Sequence, residues 1–299
     1  MSEQVTGRFA PSPTGPLHFG SLVAAVGSFC LARRAGGTWL VRIDDLDGPR
    51  VVPGAAEDIL RTLERLGLEW DGEILWQSRR GERYQAALET LRQQNLVFPC
   101  ACSRREVLAS APHIGEEGPV YPGTCRSGLP PGRQPRAQRL RAAGAVCFTD
   151  GVFGRVEQDL RMVGDFILHR ADGLFAYQLA TVVDDADSGV DQVVRGEDLL
   201  TSTPRQIYLH TCLRTPVPHY IHLPLALTAT GEKISKRHGA AAAGASDLWR
   251  ALRFLGQEIP HDLEQASARD ILAWGKRHFD LARVPGRSAP IPKNALSLS

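Results

Sequence analysis

The chain has 299 residues, 43% hydrophobic and 23% charged, with 35 Lys and Arg against 33 Asp and Glu for a net charge of +2. That length supports about two domains and a sizeable core, the composition is that of an ordinary globular protein, and the charge is too mild to point by itself to a nucleic-acid partner. No window approaches a membrane span, and the start Met-Ser-Glu-Gln lacks the basic and apolar regions of a secretion signal, so the chain is expected in the cytoplasm with no membrane partner.

Residues 4 to 9 predict a strand, followed by a loop with prolines at 11, 13 and 16 that forbid regular structure. Gly15 and Gly20 in that loop allow close backbone approach to a ligand. From Ser21 onward, Leu22, Ala25, Val26, Phe29 and Cys30 recur at helical spacing until Gly36-Gly37. A helix that opens directly after such a loop offers unpaired N–H groups and the positive end of its dipole to an anion. His18, just before it, can donate to a phosphate oxygen, and the stretch reads as the phosphate end of a nucleotide site. Thr38 to Ile43 predicts a second strand ending in Asp44-Asp45-Leu46-Asp47, at the edge where open α/β sheets bind ligands. A helix near Pro53 carries the stripe Ile59, Leu60, Leu63 and Leu66, and another carries Tyr84, Leu88 and Leu91. This alternation predicts an α/β fold with a doubly wound parallel sheet.

At Val97 the texture changes, and 97–188 reads as an α+β insertion between the two halves of a catalytic domain, 1–96 and 189–240. Cys100, Cys102 and Cys125 would be unusual as disulfide partners in the cytoplasm, and a Cys-x-Cys pair meeting a distant Cys supplies three ligands for one structural Zn²⁺. Ligand chemistry alone favours His113 as the fourth. Cys30, Cys147 and Cys212 are isolated and read as core or near-core thiols. Between Gln138 and Asp185 the apolar runs are short and β-like, with Asp172-Gly173 as a hairpin signal. Asp184, Asp185 and Asp187 have no His or second spaced set beside them and read as an exposed turn. Val193-Val194-Arg195 predicts a strand returning to the first sheet, and a helix follows from about Thr203. Arg8 and Arg195 both fall at strand ends; an arginine fork reads a carboxylate in two bonds, so the pair suits a dicarboxylic substrate. The arginine pairs 33/34, 79/80 and 104/105 read mainly as solvated surface. Residues 241–299 hold helices around 248–255 and 268–277 and a tail expected to be disordered.

Pro16-Leu17-His18-Phe19-Gly20-Ser21 resembles the HIGH signature of class I aminoacyl-tRNA synthetases, and Lys233-Ile234-Ser235-Lys236-Arg237 resembles their KMSKS signature. The lead-in Arg8-Phe9-Ala10-Pro11-Ser12-Pro13-Thr14-Gly15 is similar to the glutamyl and glutaminyl branch. The resemblance implies a Rossmann-type catalytic domain in which an amino-acid carboxylate attacks the α-phosphate of ATP, used with Mg²⁺, and releases pyrophosphate. The nucleophile is already ionised, so the reaction needs positioning and positive charge rather than a base. On this reading His18, Lys233 and Lys236 are catalytic, and with Gly20, Ser21 and Ser235 they contact ATP. Glutamate recognition is implied at Arg8, Phe9, Ala10, Pro11, Ser12, Asp44, Tyr177 and Arg195. Two positions depart from the pattern: Ser21 replaces the second His of the motif, and Asp44 stands where the family has Glu. The shorter carboxylate implies that the substrate ammonium is held through water or by a shifted strand end. The resemblance also implies Tyr121, rather than His113, as the fourth zinc ligand.

Full-length members of the branch continue into a large helical anticodon-binding domain that residues 241–299 are too few to build. The chain therefore resembles most the truncated members, which activate L-glutamate without tRNA and esterify it to the queuosine base at the wobble position of tRNA(Asp). Its implied partner is the anticodon stem-loop, and a monomer is expected. The alternatives are a short enzyme charging a tRNA 3′ end, a non-tRNA adenylyltransferase, and a non-catalytic RNA-binding paralogue, against which Lys233 and Lys236 argue.

Overall fold

The structure is a computed structural model and describes residues 4–115, 118–228, 231–232 and 243–290. Its centre is a five-stranded sheet in the order His219–Leu223, Gln192–Gly196, Thr6–Phe9, Thr38–Ile43, Leu75–Trp76, and every pairing in it is parallel. From Thr6–Phe9 the chain winds outward to one side, then returns to the other side after the long 97–188 segment. Strand order thus reverses between Thr6–Phe9 and Gln192–Gly196, which leaves a crevice beyond their C-terminal ends. Val41, Ile43, Val193, Val194, Ile221 and Leu223 are buried, as expected where helices cover both faces of a parallel sheet.

The Phe19–Arg34 helix lies against this sheet and buries Leu22, Val26, Phe29 and Cys30. It begins two residues before the expected Ser21, because His18 caps it: the imidazole Nδ1 accepts from the Ser21 N–H at 3.2 Å. Trp39 stacks on Phe9, meets Phe29 edge-on at 5.1 Å, and donates its indole N–H to Ser28 Oγ at 3.0 Å. The helices Ala245–Phe254 and Ala268–His278 bring Leu248, Leu252 and Ile271 into the same core. The C-terminal helices therefore pack on the nucleotide fold rather than form a core of their own. No helix of the described residues is long and apolar enough to cross a membrane.

The middle segment forms a three-stranded antiparallel sheet, Phe166–His169, Ala137–Leu140 and Val97–Cys100 in that order, and a hairpin of Ala145–Asp150 with Gly154–Asp159. The helix Arg104–Ser110, started by a Ser103–Glu106 capping box, was not apparent in the sequence. Two expectations are corrected here. Tyr177–Asp187 is a helix, and Asp184 and Asp185 on it are fully buried rather than in an exposed turn, with Asp187 at its exposed end. This helix buries nearly its whole circumference, polar residues included, so no exposed polar face marks a helical period in its sequence. Cys147 is exposed, not near the core: it lies on the hairpin ribbon, where residues alternate between exposed and half-buried. Cys30 and Cys212 are buried as expected.

Gly37 joins the first helix to the second strand where the chain has no spare room. A Cβ there would lie 2.2 Å from the carbonyl oxygen of Val5, the same oxygen that accepts from Thr38 N–H at 2.8 Å. Gly37→Ala is expected to cost about 1–3 kcal/mol through overpacking. Gly48→Ala, which meets nothing within 4 Å, should stay within about 0.5 kcal/mol; equal shifts of the two variants in thermal denaturation would contradict the close approach at Gly37.

Candidate active site

A cavity of about 270 Å³ opens at the strand-order switch. Its floor is the end of the first strand and the Pro-rich loop, Arg8, Phe9, Ala10, Pro11 and Ser12. One wall is the start of the first helix, with His18, Gly20 and Ser21, and the other wall carries Asp44, Tyr177 and Arg195. The glutamate- and ATP-site residues expected from the sequence that fall within the described residues line this one cavity, and the expected metal ligands lie apart from it. Lys233, Ser235 and Lys236 lie outside the described residues; Leu225 and Ala226, shortly before them, are on the cavity wall. The loop is pinned from outside, since Pro11 C=O accepts from Asp44 N–H at 3.0 Å and Pro13 C=O from Val52 N–H at 2.9 Å. Because His18 Nδ1 accepts from a backbone amide, a neutral ring carries its proton on Nε2, which lies 3.0 Å from Ser21 Oγ. Ser21 thus occupies the place of the motif's second His and touches the first.

Arg195 is buried, and every N–H of its guanidinium has an acceptor. Nε donates to His222 Nε2 at 3.1 Å, Nη2 to Thr203 Oγ1 at 2.8 Å and Leu199 C=O at 3.3 Å, and Nη1 to Gln206 Oε1 at 2.8 Å. The fifth bond, Nη1 to the Tyr177 hydroxyl at 3.5 Å, is the longest and ends on the most exposed partner, at the cavity. Arg8 is also buried, with Nε 3.4 Å from Asp185 Oδ1 and Nη1 3.4 Å from Val194 C=O. These are long contacts, and the guanidinium lines the cavity.

Beneath the cavity lies a charge network absent from the sequence-based expectations. Arg42 donates through Nε to Asp44 Oδ1 at 2.7 Å and through Nη1 to Asp185 Oδ1 at 2.5 Å. Arg80 Nε donates to Asp184 Oδ1 at 2.6 Å, while Gln77 and Tyr84 donate to Asp184 Oδ2 at 2.7 and 2.9 Å. Burial pushes both helix carboxyls up. On Asp185 the guanidiniums of Arg8 and Arg42 outweigh it and hold the carboxyl below the usual range, whereas on Asp184 burial prevails over Arg42 and Arg80. Burial likewise raises Asp44 against the pull of Arg42. Asp44 therefore reaches the cavity with its carboxylate braced by Arg42. An arginine inside the apolar strand Thr38–Ile43 and two aspartates inside an apolar run were the available signal, since buried charges need partners.

The three cysteines of the insertion also converge: the sulfurs of Cys100, Cys102 and Cys125 lie within 4.8 Å of one another. Zinc–sulfur bonds of about 2.3 Å set tetrahedral S···S edges of about 3.8 Å, and Cys102 to Cys125 is 3.7 Å. With a zinc–oxygen bond of about 2.0 Å the S···O edge is about 3.5 Å, and Cys100 Sγ to the Tyr121 hydroxyl is 3.5 Å. His113 is not in the group; its Nε2 sits 3.0 Å from Met162 C=O. Burial, helped by Cys125, pushes the Cys102 thiol up to about 11. On Cys100 burial is outweighed by bonds from Tyr121 and Arg139, which favour the thiolate. The donor set fits Zn²⁺.

A family model described as tRNA synthetases class I (E and Q), catalytic domain, matches residues 4–255. The chain is 57% identical to a glutamyl-Q tRNA(Asp) synthetase of Dechloromonas aromatica, over 96% of this chain and 98% of that one. It is 48% identical to one of Pseudomonas aeruginosa over 99% of this chain and 100% of the other. Among solved structures, a glutamate-tRNA synthetase from Elizabethkingia anophelis superposes with a TM-score of 0.80 at 25% identity, over 98% of this chain and 69% of that one. With the switch-point cavity, the His18-capped helix and the paired arginines already in place, these matches show that the chain belongs to the class I tRNA synthetases of the E and Q kind, in the glutamyl-Q tRNA(Asp) synthetase group.

Proposed function

We propose that the chain activates L-glutamate with ATP as glutamyl adenylate without tRNA, then transfers the glutamyl group to the queuosine base at the wobble position of tRNA(Asp). The observation that carries this is the pair of buried arginines, Arg8 and Arg195, on strands that flank the switch point and share one cavity with the capped helix start. Arg8 and Arg195 receive the two carboxylates of the substrate, Tyr177 closes over them, and Asp44, held by Arg42, takes the ammonium side. Phe9, Ala10, Pro11 and Ser12 form the backbone wall against which glutamate lies. His18, Gly20 and Ser21 hold phosphate, with Lys233, Ser235 and Lys236 supplying the remaining contacts from their loop and Mg²⁺ travelling with ATP. A carboxylate oxygen attacks the α-phosphorus, and the bond to pyrophosphate breaks as its charge grows on the leaving group. A hydroxyl of the queuosine diol then attacks the acyl carbon, its proton is lost, and AMP leaves.

In the same reading, 1–96 and 189–240 are the catalytic halves, 97–188 is the zinc- and acceptor-binding insertion, and the enzyme acts as a cytoplasmic monomer. Cys100, Cys102, Cys125 and Tyr121 hold one structural Zn²⁺, which would neutralise the clustered thiolates and tie Val97–Cys100 to the loop through Cys125.

Lys236→Ala is expected to reduce glutamate-dependent pyrophosphate exchange into ATP at least tenfold with glutamate binding nearly unchanged, because its charge matters most as pyrophosphate departs; equal losses in affinity and turnover would contradict that role. Elemental analysis should find one zinc per chain. Cys100→Ser should lose it and loosen 97–135 while the nucleotide fold stands, and Tyr121→Phe, which removes only the oxygen, should weaken retention; metal-free protein purified without chelator would refute the site. For the acceptor, tRNA(Asp) bearing queuosine should take labelled glutamate with or without its 3′ terminal adenosine. The same tRNA lacking queuosine should not. Label that depends on the 3′ adenosine would convert the reading to a short tRNA-charging enzyme.

A further inference from the structure

Asp150 and His222 are both buried, and neither belongs to the motifs or to the cavity wall. His222 is the registered neighbour of Arg195 on the adjacent parallel strand, whereas Asp150 ends the first strand of the insertion's hairpin. The hairpin docks on the sheet edge through Gly151 N–H to Tyr220 C=O at 3.0 Å. There Asp150 Oδ1 accepts from the N–H groups of Val152 and Phe153, and Oδ2 accepts from His222 N–H at 3.1 Å and His222 Nδ1 at 2.6 Å. The other ring nitrogen, Nε2, lies 3.1 Å from Arg195 Nε.

We propose that Asp150 and His222 are a positioning pair for Arg195, the carboxylate orienting the imidazole so that the imidazole orients the guanidinium toward the substrate carboxylate. The proton count requires this order. Arg195 Nε can only donate, so His222 Nε2 must present its lone pair, and the single proton of the neutral ring must be on Nδ1. The Asp150 carboxylate at Nδ1 accepts from that N–H and so enforces the tautomer. Thr203 Oγ1, 3.1 Å from the same Nε2, does not compete: it accepts from Arg195 Nη2, and its one proton has Leu199 C=O at 3.1 Å. A doubly protonated ring would set N–H against N–H, and burial together with Arg195 does hold His222 below its usual range against the pull of Asp150. Nη1 and Nη2 are held by Gln206, Thr203 and Leu199, and the Nε bond to His222 fixes the remaining edge of the guanidinium, nearest its stem. With that bond lost, the guanidinium can tilt, and the Nη1 N–H that meets the cavity beside Tyr177 would reach a substrate carboxylate at a different angle.

The inference rests on the reading that Arg195 receives a glutamate carboxylate, and the test separates the two. In full-length protein, tRNA-independent pyrophosphate exchange gives KM for glutamate and for ATP separately. His222→Asn places an amide nitrogen near the Nδ1 position, keeping the Asp150 bond and removing the acceptor for Arg195. The loss of one hydrogen bond to a charged group should raise the glutamate KM about tenfold or more, with the ATP KM within about twofold. His222→Gln puts its amide oxygen near the Nε2 position and should restore much of the glutamate KM. Wild-type glutamate KM in a folded His222→Asn variant, or equal defects in the Asn and Gln variants, would overturn the proposal and leave the pair as a structural staple. Should His222→Asn not fold, ¹⁵N spectra of the wild-type ring decide: the proton must be on Nδ1, and a ring protonated on Nε2 refutes the pair. Arg195→Lys is the control. Unchanged glutamate KM there would refute the substrate reading itself, while a raised KM beside a normal His222→Asn would refute this inference alone.

Discussion

One buried carboxylate, Asp185, is shared by two arginines on neighbouring strands. Its Oδ1 lies 2.5 Å from Arg42 Nη1 and 3.4 Å from Arg8 Nε. Removing one partner from such a buried pair typically costs about 3–5 kcal/mol, because the remaining charge has no solvent to turn to. Here the loss of Asp185 would remove the carboxylate paired with Arg8 and leave Arg42 to Asp44 and Asp184. Holding both arginines there keeps two guanidiniums at the cavity: Arg8 and Arg42 both line it, and Arg42 braces Asp44 on its wall. The sheet supplies the crevice, and the helix carboxylates make it habitable for arginines.

The same logic places the middle segment. It is not a separate body beside the nucleotide fold, because its residues complete that fold. Leu140, Phe166 and Leu168 share a core with Tyr84, Leu88, Leu91 and Leu209. Tyr177–Asp187 delivers both Asp184 and Asp185 to the arginines, and the hairpin delivers Asp150 to His222. The arginines on the sheet that line the cavity therefore take counter-charges from the segment inserted between its halves. The cysteine cluster sits farther out. Arg139 links it inward, with its guanidinium 3.9 Å over the Tyr121 ring and its Nε 3.4 Å from Cys100 Sγ.

Local pattern carried much of this structure. Helical spacing after Ser21, the Gly36-Gly37 stop, the Pro53 start and the strand at Thr38–Ile43 are short-range signals, and the elements stand within a few residues of where those signals lie. The paired loop signatures and the Cys-x-Cys spacing are equally local, and the cavity gathers Pro16, Leu17, His18, Gly20 and Ser21 of the first signature. Tyr177–Asp187 was misread because a helix buried all round has no polar face to mark its period. The arginine pairs were misread in part for a related reason: Arg33 reaches Asp71 at 2.7 Å and Arg80 reaches Asp184, so they join elements far apart in sequence rather than face solvent.

From sequence alone, then, came the winding of the sheet, the Pro-rich loop before the first helix, the cysteines that cluster and the two arginines at strand ends, since each follows from residues a turn or a strand apart. Only the tertiary structure decided which charges meet. Asp185 is far from Arg8 in the chain, and Asp150 is far from His222. Nothing in the spacing of either pair distinguishes a buried partner from a polar turn. The need for a counter-charge is legible wherever an arginine or histidine interrupts an apolar strand, as at Arg42 and His222. Its identity is set by long-range packing, because desolvation penalises every arrangement except the one in which the partners arrive together.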